Sequence, residues 1–252
     1  MEVPHSRDNA VKFFEQYTSG NAGLKGKRVI DLSAGSGYIA NLFHEAGTSL
    51  ELYDLFPEQN KFCPVPCKHI DLQKPFPIAD KTADIVILAE TIEHLPNQYF
   101  FFVETARILK PGGTLLLTTP NSSSLRSRFS QFLMESEHYS TPAPNELNAF
   151  THWPGSKEGY FSKLFISGVL RLRTLAGISG FVIRKIHKTQ ASSTSKLLLI
   201  FYPVIYYFAS RAYEKQNKAD PANSSTLKEI MKLNTSIEVL TSKHLIVEFS
   251  KK

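Results

Sequence analysis

The sequence is poor in cysteine, in long apolar runs and in any leader-like start, and each shortage removes a class of protein. Cys63 and Cys67 are its only cysteines, with Pro64 and Pro66 between them. Two thiols so placed support neither a disulfide framework nor a zinc site. No apolar core opens the chain, so a secretory leader is not expected and the protein is placed in the cytoplasm. The longest apolar stretch, Leu197 to Ala209, falls short of the roughly 20 residues a spanning helix needs and is interrupted by Pro203. No recognised RNA-binding module is present. What remains, 252 residues with 42% hydrophobic and 21% charged side chains, is ordinary for one soluble domain with insertions.

Charge is unevenly spread. Residues 1–120 carry 11 Lys/Arg and 14 Asp/Glu, a net of −3, whereas residues 121–252 carry 18 and 9, a net of +9. The second half therefore favours an anionic partner, whether a phosphorylated substrate, nucleic acid or an acidic membrane surface, unless it is a plain solvated basic face. Arg126, Arg128, Lys163, Arg171 and Arg173 could form a basic mouth around a phosphate-bearing substrate, with dispersed surface charge as the default reading.

The chain is organised around Val29 to Gly37. Val29 to Leu32 reads as a short buried strand, and Ser33, Ala34, Gly35, Ser36 and Gly37 allow a tight turn that approaches a ligand closely. Tyr38 to Glu45 then has helical periodicity. Strand, glycine turn and helix together present backbone N–H groups and a positive helix end to a cofactor. Gly35-x-Gly37-x-x-Ala40, with Asp54 beyond it, formally matches a dinucleotide-binding pattern. Asp31 inside the strand and the lack of a dehydrogenase acid/base pattern make a nicotinamide oxidoreductase the weakest reading.

Around this centre the sequence predicts a leading helix from Asp8 to Tyr17, a strand from Ser49 to Tyr53 ending at Asp54, and a central strand from Asp84 to Ala89. Asp54 at a strand tip suits the two hydroxyls of a ribose, and Asp71 suits an adenine amino group, with Ile70 and Leu72 beside the ring. Asn97 to Leu109 reads as a helix stopped by Lys110-Pro111-Gly112-Gly113, followed by a strand from Thr114 to Thr119. Gly180 to Ile183 reads as a further strand. His244 to Phe249 alternates as suits an antiparallel edge.

The succession Asp31…Gly37, Asp54, Asp71, Glu93-His94-Leu95, Leu109-Lys110-Pro111-Gly112-Gly113 and Thr119-Pro120-Asn121 resembles class I S-adenosylmethionine-dependent methyltransferases, particularly the ubiquinone-biosynthesis O-methyltransferase group. Ser33 stands where that pattern has its first glycine. The likeness covers residues 25–121 and loosens afterwards. It implies an α/β Rossmann-like fold with a seven-stranded, mostly parallel sheet, an antiparallel last strand and helical insertions. It also implies one methyltransferase domain over 1–252, with 122–179 and 190–237 as substrate-selecting lid insertions. S-adenosyl-L-methionine would be held by Asp31, Ser33, Gly35, Gly37, Asp54, Asp71, Leu72 and Glu90.

Methyl transfer from a sulfonium asks mainly for alignment, exclusion of water and, for a hydroxyl, removal of a proton. Glu93, His94 and His152 are the catalytic candidates, with His138 a further histidine within reach. Were residues 90–94 to begin a helix, Glu90, Glu93 and His94 would share a face and converge on one divalent ion. This spacing resembles the Glu-x-x-Glu-His metal motif of small-RNA 3′-end 2′-O-methyltransferases, with His152, or else His138, completing a Mg or Mn site that lowers an acceptor's pKa.

The function expected is methyl transfer, to oxygen, on a small-molecule, lipid-linked or sugar acceptor. The alternatives are a metal-dependent 2′-O-methyltransferase acting on RNA ends and a non-catalytic S-adenosylmethionine-binding protein. In the insertions, His138 to Trp153 reads as a loop and Phe161 to Ala176 as a helix. Leu197 to Ala209 reads as a peripheral membrane contact or a packed lid, and Lys215 to Thr226 as a mobile linker before a short helix from Leu227 to Leu233.

Overall fold

The computed structural model describes residues 9–138, 141–152 and 158–252. Asp8, expected to start the first helix, and Trp153, expected to end a loop, lie outside the described residues. In chain order the elements are α1 (Asn9–Ser19), β1 (Arg28–Asp31), α2 (Tyr38–Glu45), β2 (Ser49–Asp54), β3 (Cys67–His69), β4 (Ala83–Ala89), α3 (Gln98–Ile108), β5 (Leu109–Pro120) and α4 (Leu125–Met134). There follow β6 (Phe150–His152), β7 (Gly159–Phe161), α5 (Val169–Ile178), β8 (Phe181–Ile186), α6 (Ser193–Leu197), α7 (Tyr202–Ala219), α8 (Ser224–Asn234), α9 (Ile237–Thr241) and β9 (His244–Lys251).

Seven strands form one sheet in the order β3-β2-β1-β4-β5-β9-β8. β1 to β5 are parallel, and β9 runs antiparallel to both β5 and β8. The expected class and the antiparallel last strand are therefore present. The last strand, however, lies between β5 and β8 rather than at an edge. The residue that gave it an alternating look is Glu248, which is buried and paired with Arg184 at 3.2 Å and His187 at 3.1 Å.

β4 shows why an unbroken apolar run belongs in the middle of such a sheet. Ile85 and Ile87 face one side, where Val29 and Leu116 meet Phe14 of α1 and Phe43 of α2. Val86 and Leu88 face the other, where Ile30 and Leu117 meet Phe101 and Phe102 of α3 and Leu172 of α5. Each such buried side chain contributes about 1.5–3 kcal/mol. Because β1 carries β2 on one side and β4 on the other, a crevice opens beyond their carboxyl ends.

Several boundaries differ from the sequence reading. β5 starts at Leu109, opposite Ala83, and the segment read as a stop is a bulge that returns to register at Thr114 opposite Ile85. The helix expected from Phe161 begins only at Val169, because the preceding residues run extended and bind the loop after β4 and the start of α3: Phe165 N–H donates to Glu93 O at 2.9 Å and Ser167 Oγ to Gln98 Oε1 at 2.7 Å. α5 itself sits in the main core, so the span 122–179 is not wholly inserted material. Pro203 opens α7 rather than breaking a helix, as its fixed φ allows. The polar stretch from Lys215 stays helical to Ala219, turns at Pro221–Asn223 and enters α8, leaving no long linker.

Candidate functional site

The glycine turn is held from within. Asp31 Oδ1 accepts the Ser33 N–H at 3.0 Å, and Asp31 is buried. Burial pushes its carboxyl up to about 7, opposed by that N–H and assisted by the charge of Asp54. Ser33 Oγ accepts the Ala89 N–H at 2.9 Å, so the side chain standing in place of a glycine stitches the turn to the end of β4. Gly35 and Gly37 have φ of 49° and 82°, which favour glycine. A Cβ on Gly37 would collide with the Asn60 side chain, which bridges Cys63 O and Val65 O at 3.1 and 2.8 Å. The close approach that requires this glycine is therefore to the protein's own chain. Ser36 O accepts Lys61 and Phe62 N–H at 2.9 and 3.0 Å, laying the same loop over the start of α2.

A cavity of about 410 Å³ opens at the carboxyl ends of β1, β2 and β4, within the usual range for small-molecule sites. Ser33, Asp54, Asp71, Leu72 and Glu90 line it; Asp31, Gly35 and Gly37 do not and shape the turn instead. Asp54 accepts the Gly35 N–H on Oδ2 at 2.8 Å and the Phe56 N–H on Oδ1 at 2.9 Å. Burial pushes its pKa up against the pull of these bonds. Its orientation is thus fixed by the backbone around it. Asp71 accepts the Gln73 N–H at 3.0 Å and pairs with Lys74 at 3.1 Å, between buried Ile70 and Leu72.

The hairpin of β6 and β7 roofs this cavity with Glu158, Gly159, Tyr160 and Phe161, none of which the sequence reading had found. Tyr160 meets Phe56 and His94 edge-on, with centroids 5.8 and 5.7 Å apart. Glu158 Oε2 lies 2.9 Å from His69 Nε2. His94 Nδ1 is 2.6 Å from Phe161 O; since a carbonyl only accepts, that nitrogen carries the proton and Nε2 the lone pair of the neutral ring. The available signal was Gly159, where a side chain would strike Phe150 across the hairpin.

Glu90, Glu93 and His94 do not share a helical face. Glu90 has φ of 49°, and only Ile92–His94 makes a 3-10 turn. Glu93 is wholly buried, its Oε2 accepting Thr119 Oγ1–H at 2.9 Å and its Oε1 lying 3.1 Å from Lys163 Nζ. Lys163 Nζ is also 3.5 Å from Glu90 Oε2, which stands 3.7 Å from His244 Nε2. Burial pulls the Lys163 pKa down, and the charges of Glu93 and Glu90 more than offset this, holding the ammonium protonated. The proposed ion position between the carboxylates is thus filled by a lysine. His152 stands exposed on β6 against Phe150, and His138 Nε2 is 3.0 Å from Lys163 O. Among the described residues no group of three or more His, Cys, Asp or Glu side chains is arranged to hold a metal ion. The residues present do not fit one. Of the catalytic candidates, only His94 reaches the cavity with a usable atom.

Beyond Glu90 and His244 lies a second cavity of about 270 Å³, lined by Ser122, Ser124, Arg126, His138, Lys243 and His244 among others. The expected basic mouth does not assemble: Arg128 bonds Asn234 at 2.9 Å and Arg173 pairs with Glu229 at 3.4 Å, leaving Arg126 at this cavity.

A family model described as a methyltransferase domain matches residues 8–159, more than half of the chain. The chain belongs to this methyltransferase family. The rat mitochondrial ubiquinone biosynthesis O-methyltransferase is 29% identical to this methyltransferase domain over 137 residues, covering 50% of the chain and 39% of that protein. The ubiquinone biosynthesis O-methyltransferase of Xanthomonas oryzae is 31% identical over 114 residues, covering 42% and 48%. The chain thus spans less than half the length of these relatives. The crystal structure of an S-adenosylmethionine-dependent methyltransferase from Archaeoglobus fulgidus aligns over 98% of this chain and 95% of that one, with a TM-score of 0.56 and 18% identity, which supports the fold.

Proposed function

We propose that this methyltransferase domain binds S-adenosyl-L-methionine in the larger cavity and transfers its methyl group to an oxygen of a small-molecule, lipid-linked or sugar acceptor entering from the second. The observation that carries the reading is Asp54, a carboxylate fixed by backbone N–H groups at the tip of β2 and lining the cavity, where it can accept from a diol. Asp71 would accept from the adenine amino group, with Ile70 and Leu72 against the ring. Tyr160 and Phe161 would exclude water. The cofactor supplies a methyl already activated on sulfur. His94 Nε2 would take the acceptor's proton, and Glu90 with His244 would border the acceptor. The rat and Xanthomonas relatives, both ubiquinone biosynthesis O-methyltransferases, support oxygen as the methylated atom.

Calorimetric titration with S-adenosylhomocysteine tests the cofactor site. Micromolar binding lost in Asp54→Ala is expected; no binding, with a nicotinamide cofactor bound instead, would overturn the reading. Transfer is then assayed with labelled S-adenosylmethionine on phenolic, lipid-linked, sugar and RNA acceptors, where labelling of an oxygen on one of the first three is expected. Retained cofactor binding with no transfer to any of them favours a non-catalytic binding protein.

A further inference from the structure

Among the described residues, more than half of the large apolar side chains that stand exposed are gathered on two neighbouring helical segments. The first is the outer face of α4, where Phe132 is 83% exposed and Phe129 and Leu133 flank it at helical spacing. The second runs from the end of α6 through the turn at Leu198–Phe201 into α7. Leu197, Ile200, Phe201, Val204 and Phe208 recur there at three- and four-residue intervals, Leu197 and Ile200 each 77% exposed. α4 packs beside α6 and that turn, so the two faces adjoin. The same stripe of α7 continues into Arg211, Lys215 and Lys218, with Glu214 the one acid on the helix. Lys196 stands at its other end.

A contiguous exposed apolar surface of this kind marks an interaction site. The basic continuation selects the occupant. A second copy of this chain would set these cations against their own kind. An anionic bilayer would take aromatic side chains between its headgroups and the cations against its phosphates. No helix among the described residues is long and apolar enough to cross a membrane, so the contact is parallel to the surface.

We infer that the face formed by α4, α6 and α7 docks onto an anionic phospholipid surface. α4 and α6 both start at the second cavity, through Ser124, Arg126 and Ser192, and run out to this face. An amphiphilic acceptor drawn from the bilayer would therefore have its polar end about one short helix from the cavity.

The test is co-sedimentation of the full chain with vesicles of phosphatidylcholine alone or mixed with phosphatidylglycerol, at low and high salt. Binding to the mixed vesicles only, weakened by salt, is expected. Phe132→Asp with Phe201→Asp, and separately Arg211→Glu with Lys215→Glu, should each lower partitioning roughly tenfold or more. Thermal unfolding checks that these variants fold. It does not depend on the proposed activity, so failure of that reading leaves this one open to its own test. Wild-type protein remaining in the supernatant would overturn the inference. So would light scattering that finds a dimer split by Phe201→Asp, since a second copy would then cover the face.

Discussion

Lys163 Nζ lies 3.1 Å from Glu93 Oε1 and 3.5 Å from Glu90 Oε2, an ammonium in the space that Glu90-x-x-Glu93-His94 reserves for a divalent ion in a metal-dependent enzyme. The lysine arrives from the extended chain before α5, and Thr118 and Thr119 hold the two carboxylates at 3.0 and 2.9 Å from the opposite side. Charge balance at the wall between the two cavities therefore comes from the protein itself.

Removing that ammonium should have two effects. In Lys163→Met the buried Glu93 carboxylate keeps Thr119 but loses its ammonium partner, which should lower the unfolding free energy in urea. The freed carboxylates should also gain measurable affinity for Mn²⁺, read by electron paramagnetic resonance, that wild type lacks. Mn²⁺ binding by wild type as tight as by the variant would mean that the lysine yields its place readily and that the two carboxylates do take a divalent ion.

Asp54 has two duties that one pair of variants can separate. Asp54→Ala removes the acceptor for Gly35 and Phe56 N–H and the ligand contact together, and should weaken S-adenosylhomocysteine binding by about a hundredfold while lowering stability. Asp54→Asn keeps one backbone bond and one acceptor oxygen, so it should retain most stability but still lose about tenfold in affinity. Calorimetry and thermal unfolding on the same samples give both numbers. Equal affinity in Asp54→Asn and wild type would remove the charge from the argument.

What the sequence made legible follows from where the constraints were local. The strand-turn-helix at Val29 to Glu45 and the two-faced burial of β4 are written in short stretches and stand as read, and Asp54, Asp71 and Leu72 line the cavity at the strand ends. The misses are long-range. Gly37 was read for a ligand's approach, but the body it admits is Asn60, more than twenty residues on. Tyr160 and Lys163 come from a hairpin and an extended strap whose hydrogen bonds to His94 and Glu93 no periodicity reveals. The alternation of the last strand hid the burial of Glu248, whose partners, Arg184 on β8 and His187 just after it, come from elsewhere in the chain.

Asp31 should leave a mark on the pH dependence of stability. Its folded pKa is raised from 3.8 to about 7, chiefly by burial, so between those values the fold retains a proton that the unfolded chain has released. Stability from this group is therefore present below pH 4 and lost as pH rises toward 7, by on the order of 4 kcal/mol. Asp31→Asn cannot ionise and keeps an oxygen for the Ser33 N–H, so its urea-unfolding free energy should gain on wild type steadily from pH 4 to 7. Parallel profiles would show that the carboxylate is ionised at its ordinary pH within the fold.

Ser33 decides whether the departure from the family's glycine is a defect or a device. Its hydroxyl accepts the Ala89 N–H at 2.9 Å and also lies 3.5 Å from Ala89 O, tying the turn after β1 to the end of β4 on the wall of the larger cavity. Ser33→Gly would restore the glycine, strand a half-buried N–H and widen the backbone's freedom in the unfolded chain. Together these should cost about 1–3 kcal/mol in chemical unfolding. Affinity for S-adenosylhomocysteine should stay level or fall, because the cavity wall loses a fixed edge. A tenfold gain in affinity with stability unchanged would instead mark the serine as a handicap, and would favour a binding protein that has lost turnover over a working methyltransferase.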